Sequence, residues 1–316
     1  MKLFVRPATL ALHATSRSFS TNSDIRWGIL SAGKIASDYA KATANTEGAQ
    51  ASAVAARSGA KAEQFAKEHD IPKLYGSYDE LLADPEIDVV YVGSIADQHA
   101  KLATKALLAK KPTVVEKPLT LSLQESQKLI KLSQQQDVFL TEGLWTRCFP
   151  VMRKVRDLIE SGKIGKIVMV QADFGWSTQA CGPDNHIWFP YSGGVTLDVG
   201  MYLAQLGQVA YDGEYIENIQ SIGTPKNGVD HTVLTKVQYS NGGFLQFYVT
   251  DEANTEERVV IQGTEGRIIL DPPAHVPTIV RIQTDHGRGS AGEEVLEFPL
   301  EDDSYTTWKY PGSIGF

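Results

Sequence analysis

One lysine of this chain stands where a ligand is expected. Lys117 follows the apolar run Val114–Val115 and the acid Glu116, and it precedes Pro118, so it lies at the predicted end of a strand. The C-terminal ends of parallel strands open onto the crevice in which an α/β sheet binds its ligands. An ammonium there could bind a substrate hydroxyl and favour ionisation of a neighbouring acid. The alternative is a solvated lysine at a strand end.

A second pair of polar residues, Asp198 and Tyr202, has helical spacing. Residues four apart share one face of a helix. A phenol titrates near pH 10, so it needs a nearby cation to act as a base at neutral pH. With a cation such as Lys117 nearby, a phenol at Tyr202 could take the proton of a substrate hydroxyl, and a carboxylate at Asp198 could hold the lysine or a second hydroxyl. The alternatives are a core tyrosine and an aspartate that caps a helix.

The segment Trp27–Ala36 has the pattern of a strand, a tight turn and a helix start. Its core, Ser31-x-Gly33-x-x-Ala36, is a G-x-G-x-x-A fingerprint with serine in the first position. Gly33 would let the backbone approach a pyrophosphate, which would lie on the helix N-terminus at Lys34 and Ile35. The pattern is the first strand–helix unit of the chain, so it predicts a dinucleotide site.

Arg57 and Ser58 follow the second predicted strand. NAD-binding sites usually carry an acid here, which holds the ribose 2′-hydroxyl. A guanidinium and a hydroxyl suit a 2′-phosphate instead. We therefore expect NADP as the cofactor, the alternative being an ordinary exposed arginine.

Short apolar runs alternate with helical stretches up to about Phe149. This alternation predicts an α/β fold with a parallel sheet covered by helices on both faces. Predicted strands are Ile25–Ser31, Gln50–Ala56, Ile87–Gly93, Thr113–Glu116 and Val138–Thr141. Predicted helices are Lys34–Thr43, Ala60–Glu68, Ser77–Ala83, Gln98–Leu108 and Leu123–Gln135.

The rhythm changes in the second half of the chain. One predicted helix, Val151–Ser161, precedes longer alternating runs separated by glycine-containing turns, which predicts an antiparallel sheet. Predicted strands here are Lys166–Phe174, Val233–Tyr239, Gly243–Thr250, Arg258–Gln262 and Arg267–Leu270. The polar stretch Thr284–Glu294 is predicted to be an exposed loop between strands.

Composition excludes several classes of protein. The 316 residues suffice for two domains, and 42% hydrophobic and 22% charged residues are ordinary for a globular protein. A net charge of −8 argues against a nucleic-acid partner and against binding to anionic membranes. No apolar run is long enough to cross a bilayer. The histidines are scattered and the two cysteines lie far apart, so no metal site is expected.

Residues 1–23 differ from the rest in composition. They contain Lys2, Arg6 and Arg17, many serines and threonines, and no acid before Asp24. That bias predicts a mitochondrial transit peptide and a location in the matrix. A chance composition of a disordered tail is the alternative.

Several longer motifs together resemble one known group of proteins. The chain from Arg26 onward is similar to the glucose-fructose oxidoreductase and inositol dehydrogenase superfamily, above all to its subgroup acting on trans-dihydrodiols and D-xylose. The likeness is carried by RWGILSAGKI, EKPLTLS, EGLWTRCFP, GGVTLDVGMY and IQGTEGRI. It implies a Rossmann domain, then an α+β domain with an open, mostly antiparallel sheet that often forms a homodimer interface. It also implies hydride transfer between NADP and a sugar or cyclic diol.

The resemblance also implies roles for single residues. Lys117 matches the lysine of the family's EKP motif, with Glu116 beside it among the cofactor contacts. Asp198 and Tyr202 match its Asp-x-Gly-x-(His/Tyr) segment, and tyrosine in the last position resembles the dihydrodiol and xylose subgroup. His99 resembles a family histidine near the nicotinamide.

The same resemblance divides the chain into three regions. Residues 24–146 are expected to bind NADP, and residues 147–316 to hold the substrate and the dimer interface, after the transit peptide at 1–23. Relatives continue past a Pro-x-Ser-x-Gly-Phe segment into a further helix. This chain ends in that segment at Phe316, so either the sequence is incomplete or the protein lacks that helix.

Aromatic and basic residues near the second domain are candidate walls of a substrate pocket. Trp145 and Arg147 follow the last Rossmann strand, and Arg147 is expected to donate hydrogen bonds to substrate hydroxyls. For Trp145, a place in the core between the domains explains the residue as well as a pocket wall does. Trp176 and the loop Cys181–Phe189, with His186 and Trp188, would add aromatic faces for a sugar or diol ring.

These residues favour an NADP-dependent sugar or diol dehydrogenase. The alternative of a different class is a non-catalytic NADPH-binding sensor, which would keep Gly33 and Arg57 but has no need of Lys117 together with Tyr202. A third possibility is a related enzyme that reduces a keto-sugar or an imine with the same residues.

Overall fold

A computed structural model describes residues 24–179, 189–190, 192–285 and 291–299. The chain divides into two compact units, one ending at Leu144 and the other beginning at Trp145. Three predictions lie outside the described residues: the transit peptide, the loop that holds His186 and Trp188, and the end of the chain at Phe316.

The first unit is a parallel sheet of six strands with the order β3-β2-β1-β4-β5-β6. Its strands are β1 (Ile25–Leu30), β2 (Ala49–Ala55), β3 (Lys73–Tyr75), β4 (Val89–Val92), β5 (Thr113–Glu116) and β6 (Leu140–Gly143). Its helices are α1 (Lys34–Ala44), α2 (Gly59–Glu68), α3 (Tyr78–Ala83), α4 (His99–Leu108) and α5 (Leu123–Gln136). The Rossmann prediction is confirmed, with the order reversing between β1 and β4, where such sheets bind ligands.

Alternation along the central strands fills a core on each face of this sheet. Ile29 of β1 and Tyr91 of β4 pack with Ala36 of α1 on one face. Their neighbours Leu30 and Val92 pack on the opposite face against α3, α4 and α5. Successive side chains of a strand point to opposite faces, so apolar runs are required in strands that helices cover twice.

Three helices of this unit start with a serine cap. Ser58, Ser77 and Ser122 accept the backbone N–H of the residue three positions later in α2, α3 and α5. Such a bond satisfies one of the N–H groups that the first turn of a helix leaves without an internal partner. Helix α1 differs, because it begins after Gly33, which has no side chain to act as a cap.

The second unit is built on a mixed sheet of eight strands with the order β14-β13-β12-β11-β7-β10-β9-β8. Its strands are β7 (Ile167–Gly175), β8 (Ile216–Lys226), β9 (Val229–Tyr239), β10 (Phe244–Thr250), β11 (Val259–Gly263), β12 (Gly266–Leu270), β13 (Ile279–Asp285) and β14 (Ala291–Glu297). Only β7 and β10 pair in parallel, so the prediction of a mostly antiparallel sheet is confirmed. Among the described residues of this unit, two α-helices accompany the sheet, α6 (Pro150–Glu160) and α7 (Met201–Ala210).

The prediction of a loop from Thr284 to Glu294 is wrong at both ends. β13 runs to Asp285 and β14 starts at Ala291, and Gly292 pairs with Thr284. β14 escaped notice because it lies at the sheet edge and is polar, so no buried apolar alternation marks it.

One face of the second sheet is buried and the other is open. In β9 the odd-numbered residues from Val229 to Tyr239 are buried, whereas the even-numbered ones are partly or fully exposed. Helix α7 packs against β7 and β10 and covers the buried face. Over the described residues, no helix has both the length and the apolar character needed to cross a membrane.

Candidate functional site

The turn between β1 and α1 is held tightly to its neighbouring strands. Ser31 donates its backbone N–H to the Ala55 oxygen of β2 at 2.9 Å, and Gly93 donates to the Leu30 oxygen of β1 at 3.2 Å. Ser31 has φ of 116°, a conformation that side chains other than glycine's rarely adopt. Such strain persists at functional sites where the surroundings impose it.

Gly33 leaves an open place at the N-terminus of α1. Its φ of −93° and ψ of 178° suit any residue, and a Cβ built there would meet nothing closer than the Ser31 Oγ at 3.6 Å. Neither the backbone nor the packing within the protein requires glycine, so the missing side chain leaves room for a ligand. With no side-chain cap and no acid in the first turn of α1, this end of the helix fits a pyrophosphate.

The third position of the fingerprint has a packing role. Ala36 is fully buried, and a Cβ on Gly93 would lie 3.3 Å from the Ala36 Cβ and 2.6 Å from the Tyr91 ring. Small residues at both positions therefore let α1 approach the end of β4.

Arg57 and Ser58 follow the C-terminal end of β2, the strand that pairs in parallel with β1. Arg57 is exposed, and within the described part of the chain its guanidinium forms no hydrogen bond or ion pair. Ser58 Oγ accepts the Lys61 N–H at 3.4 Å as the cap of α2. An exposed guanidinium beside a hydroxyl suits a 2′-phosphate.

Glu116 is buried rather than exposed to a ligand. Its Oε1 accepts a 2.7 Å hydrogen bond from the Tyr91 hydroxyl, and its Oε2 accepts the Lys117 N–H at 3.0 Å. Burial raises the pKa of Glu116, with the bond from Tyr91 and the Lys117 charge acting in the opposite direction. Glu116 thus supports the Lys117 backbone, and its cofactor contact stays a prediction.

His99 lies at the start of α4 and bridges two loops. Its Nδ1 is 2.7 Å from the Pro118 oxygen and its Nε2 is 2.9 Å from the Ser94 oxygen. Burial lowers its pKa, and both ring nitrogens face backbone carbonyls. His99 is therefore placed to fix the loops after β4 and β5, and any cofactor contact would use its carbon atoms.

Lys117 belongs to the first unit, and Asp198 and Tyr202 belong to the second. Tyr202 is 8% exposed in the first turn of α7. Asp198 lies in a π-helical turn, Thr196–Gly200, that leads directly into α7. The residues at the N-cap positions are Val195 and Gly200, so the alternative of a capping role for Asp198 is wrong.

Aromatic rings surround Tyr202 within the second unit. Its ring centroid is 5.8 Å from Phe174, 5.8 Å from His275 and 6.5 Å from Trp145. Phe174 and His275 stack at 4.5 Å with an interplanar angle of 24°. The structure thus brings Trp145 together with Tyr202.

Two other candidates for the pocket lie elsewhere. Arg147 is exposed, and its Nη1 donates to Gln208 Oε1 of α7 at 3.3 Å, six residues beyond Tyr202. Trp176 is half-buried after β7, its backbone N–H donates to the Thr250 oxygen, and no ring contact of Trp176 occurs among the described residues. No group of three metal-ligand side chains occurs among them either.

Phe174, His275 and Glu257 are the residues that sequence reasoning missed. His275 Nδ1 lies 2.7 Å from Glu257 Oε2. The one available signal was a polar residue within an apolar, proline-rich stretch, Pro272–Pro277, which is a weak indication of function.

Comparisons with known proteins cover both units. Residues 25–144 match the family model described as an oxidoreductase family with an NAD-binding Rossmann fold, and residues 152–269 match that of the GFO/IDH/MocA C-terminal domain. The trans-1,2-dihydrobenzene-1,2-diol dehydrogenase of Danio rerio is 40% identical over 255 residues, which cover 80% of this chain and 75% of the relative. That of Homo sapiens is 33% identical, covering 87% of this chain and 80% of the relative.

Solved structures share the fold at low sequence identity. A levoglucosan dehydrogenase in complex with NADH and L-sorbose is 18% identical with a TM-score of 0.79, covering 87% of this chain and 80% of its own. The 3-ketoreductase KijD10 of Actinomadura kijaniata, with NADP and TDP-benzene, is 22% identical with a TM-score of 0.74, covering 87% and 85%. The predicted resemblance is confirmed: this chain belongs to the GFO/IDH/MocA family of oxidoreductases, with an NAD-binding Rossmann domain.

Proposed function

We propose that this protein is an NADP-dependent dehydrogenase that removes hydride from a CH–OH carbon of a sugar such as D-xylose or of a cyclic trans-diol. Membership of an oxidoreductase family and its diol-dehydrogenase relatives support the reaction class. The observation that carries the proposal is the placement of the Tyr202 phenol among Trp145, Phe174 and His275. Aromatic faces suit the C–H faces of a sugar or diol ring, with a proton acceptor beside them.

The preference for NADP rests on the end of β2. An acid that would hold a ribose 2′-hydroxyl is replaced by the exposed Arg57, and the Ser58 hydroxyl can still donate a proton while it accepts the Lys61 N–H. Ser31, Gly33, Lys34 and Ile35 would hold the pyrophosphate at the start of α1, and Lys117 would complete the cofactor contacts. NADP, when bound, supplies the carbon that accepts hydride.

Tyr202 is assigned the proton. As hydride leaves the substrate carbon, the hydroxyl proton of that carbon passes to the Tyr202 oxygen, which must be ionised to receive it. The Lys117 ammonium is proposed to favour that ionisation and to orient the hydroxyl, and Asp198 to bind the lysine or a second hydroxyl.

A double-variant cycle tests whether these two residues act together. Residues that act as one unit lose activity non-additively. If Lys117→Met and Tyr202→Phe each abolish most of the turnover, the double variant should be little worse than either. Independent, multiplying losses would contradict a joint role.

The domain assignment, dimer and compartment are further parts of the proposal. We assign cofactor binding to residues 24–146 and substrate binding and dimerisation to 147–316.

The open face of the second sheet supports a homodimer, because exposed apolar side chains line up across it at Ile222, Leu234 and Tyr248. The basic, acid-free composition of residues 1–23 supports import into mitochondria, which an import assay with isolated mitochondria would test.

Binding and turnover should be measured separately on the purified protein. NADPH fluorescence gives binding, and NADPH absorbance follows the reduction of NADP by D-xylose or by a cyclic trans-diol. The proposal expects reduction by one of these classes, much slower with NAD than with NADP. Tight NADPH binding without turnover on a broad sugar and diol panel would favour the sensor, and no binding would contradict the nucleotide site.

A further inference from the structure

His275 is a buried histidine fixed from several sides within the second unit. It is 6% exposed, and its ring stacks on Phe174. Its backbone oxygen accepts a 2.6 Å hydrogen bond from the Thr146 hydroxyl. Its Nδ1 contacts Glu257 Oε2 at 2.7 Å. The imidazole therefore has little freedom to rotate.

Glu257 is itself held in an unusual backbone conformation. Its φ is 57°, which is uncommon and strained for a residue other than glycine. The Asp173 carboxylate accepts the Glu257 N–H at 2.8 Å, and the Glu257 oxygen accepts the Ala274 N–H at 2.9 Å. These bonds hold the carboxylate on the imidazole in spite of the strain.

A carboxylate that accepts a hydrogen bond from Nδ1 favours the imidazole tautomer in which Nδ1 carries the proton. The other nitrogen, Nε2, is then the one that gains or loses a proton. A histidine–carboxylate pair is not by itself a sign of function, because His231 and Asp251 form a second buried pair, with 2.8 Å between His231 Nδ1 and Asp251 Oδ2. His275 differs because its ring lies 5.8 Å from the Tyr202 ring, at an angle of 50°.

We propose that His275, oriented by Glu257, relays the proton between the Tyr202 hydroxyl and solvent. The relay rests on the proposed role of Tyr202. After the substrate has lost its hydride to NADP and its proton to Tyr202, the tyrosine O–H bond breaks as its proton passes to a bridging water, which in turn gives a proton to His275 Nε2. The Nδ1–H stays on the imidazole, bonded to Glu257, whose negative charge stabilises the imidazolium. Water then takes the Nε2 proton, which leaves Tyr202 ionised for the next turnover.

The groups packed against His275 define what can influence this step. Among the described residues, the titratable groups that contact it are Glu257 from the β10–β11 connection and Tyr202 from α7, whereas Phe174 of β7 and Trp145 are uncharged. The Asp173 carboxylate accepts a hydrogen bond from the backbone N–H of Glu257. His275 is a positioning residue in this scheme, since it acts through Tyr202.

The test compares His275 and Glu257 variants of the full chain by kcat, pH profile and NADPH binding. His275→Gln should lower kcat about 10- to 100-fold at neutral pH and change its pH dependence, with NADPH binding within twofold of wild type. Glu257→Gln should lower kcat in the same direction. Glu256→Gln is the matched control, because Glu256 is exposed and, within the described part of the chain, pairs only with Arg258 at 3.2 Å, so the kcat of this variant should not change.

Chemical rescue separates a relay from a packing role. His275→Ala should regain at least about tenfold in kcat when imidazole is added, and the pH dependence of the rescue should follow the added base. A loss of activity without rescue would assign only packing to His275 and overturn the relay. Wild-type turnover with an unchanged kcat and pH profile in His275→Gln would overturn the relay alone. A wild-type protein that reduces no NADP would overturn the proposed function, and the relay with it.

Discussion

The Tyr91 hydroxyl donates a 2.7 Å hydrogen bond to Glu116 Oε1, and both side chains are buried at the point where β5 leads into Lys117. Tyr91 also stacks on Tyr39, with 3.7 Å between ring centroids. A buried carboxyl group needs such partners, since an unsatisfied one carries a large desolvation cost. These contacts therefore connect β4 and α1 with β5, the strand that ends just before Lys117.

Tyr91→Phe should lower the stability of the first unit. The change leaves Glu116 Oε1 buried without its donor, which costs about 1–3 kcal/mol. Urea unfolding measures the loss. Tyr75→Phe is the matched control: Tyr75 donates to Asp84 at 2.7 Å, but Lys73 keeps contact with the same carboxylate oxygen. A loss in Tyr75→Phe as large as that in Tyr91→Phe would contradict the importance of leaving the Glu116 oxygen without a donor.

Glu116 also makes stability depend on pH. Burial raises its pKa above the ordinary value of 4.5, so the folded protein binds this proton more tightly than the unfolded chain does. The resulting stabilisation is complete below pH 4.5 and is lost as the pH rises through the folded-state pKa. Unfolding measured across this range should show a smaller loss in Glu116→Gln than in wild type. Parallel profiles would contradict the raised pKa.

The first unit was largely predictable because its signals are local. Apolar runs and helical spacing identified five of the strands, and the fingerprint at Ser31 and Gly33 identified the turn that leads into α1. β3 escaped because it has three residues. β8 escaped because Ile216, Ile219 and Ile222 stand three residues apart, so they do not show the period of two that marks a strand.

The surroundings of Tyr202 were not predictable in the same way. Phe174 comes from β7, Glu257 from the β10–β11 connection and His275 from the segment after β12. No local pattern joins residues so far apart in sequence, and only the folded sheet brings them together. The sequence likewise could not show that the Tyr91 hydroxyl would donate a hydrogen bond to the buried Glu116 carboxylate.

Ser31→Gly should separate stability from cofactor binding. The φ of 116° strains serine but not glycine, so the variant should be more stable without cofactor by about 1 kcal/mol after the entropy cost of glycine is counted. Loss of the hydroxyl should weaken NADPH binding. Thermal unfolding and NADPH fluorescence measure the two effects.

Gly33→Ala is the complementary variant. A Cβ at Gly33 has space in the protein, so the fold should keep its stability while NADPH binding falls sharply. If both variants bind NADPH like wild type, the turn before α1 is not the pyrophosphate site.

A charge on the open sheet face should dissociate the proposed dimer. Leu234 is 43% exposed and pairs across the sheet with Ile222 and Tyr248, which are 74% and 40% exposed. Leu234→Glu should change the mass measured by light scattering from dimer to monomer, because an unpaired charge at a buried interface is costly. Leu108→Glu, at an exposed leucine of α4 in the first unit, is the control and should remain dimeric. A wild-type protein that is monomeric would contradict the dimer.

The most direct test of the account is Tyr202→Phe, measured by NADPH binding and by NADP reduction on the substrate that wild type oxidises. Removal of the hydroxyl takes away the proposed proton acceptor and leaves the ring packed against Trp145 and Phe174. The account predicts unchanged NADPH binding and a kcat at least about 100-fold lower. A kcat equal to that of wild type would contradict the assignment of Tyr202 as the residue that takes the substrate proton.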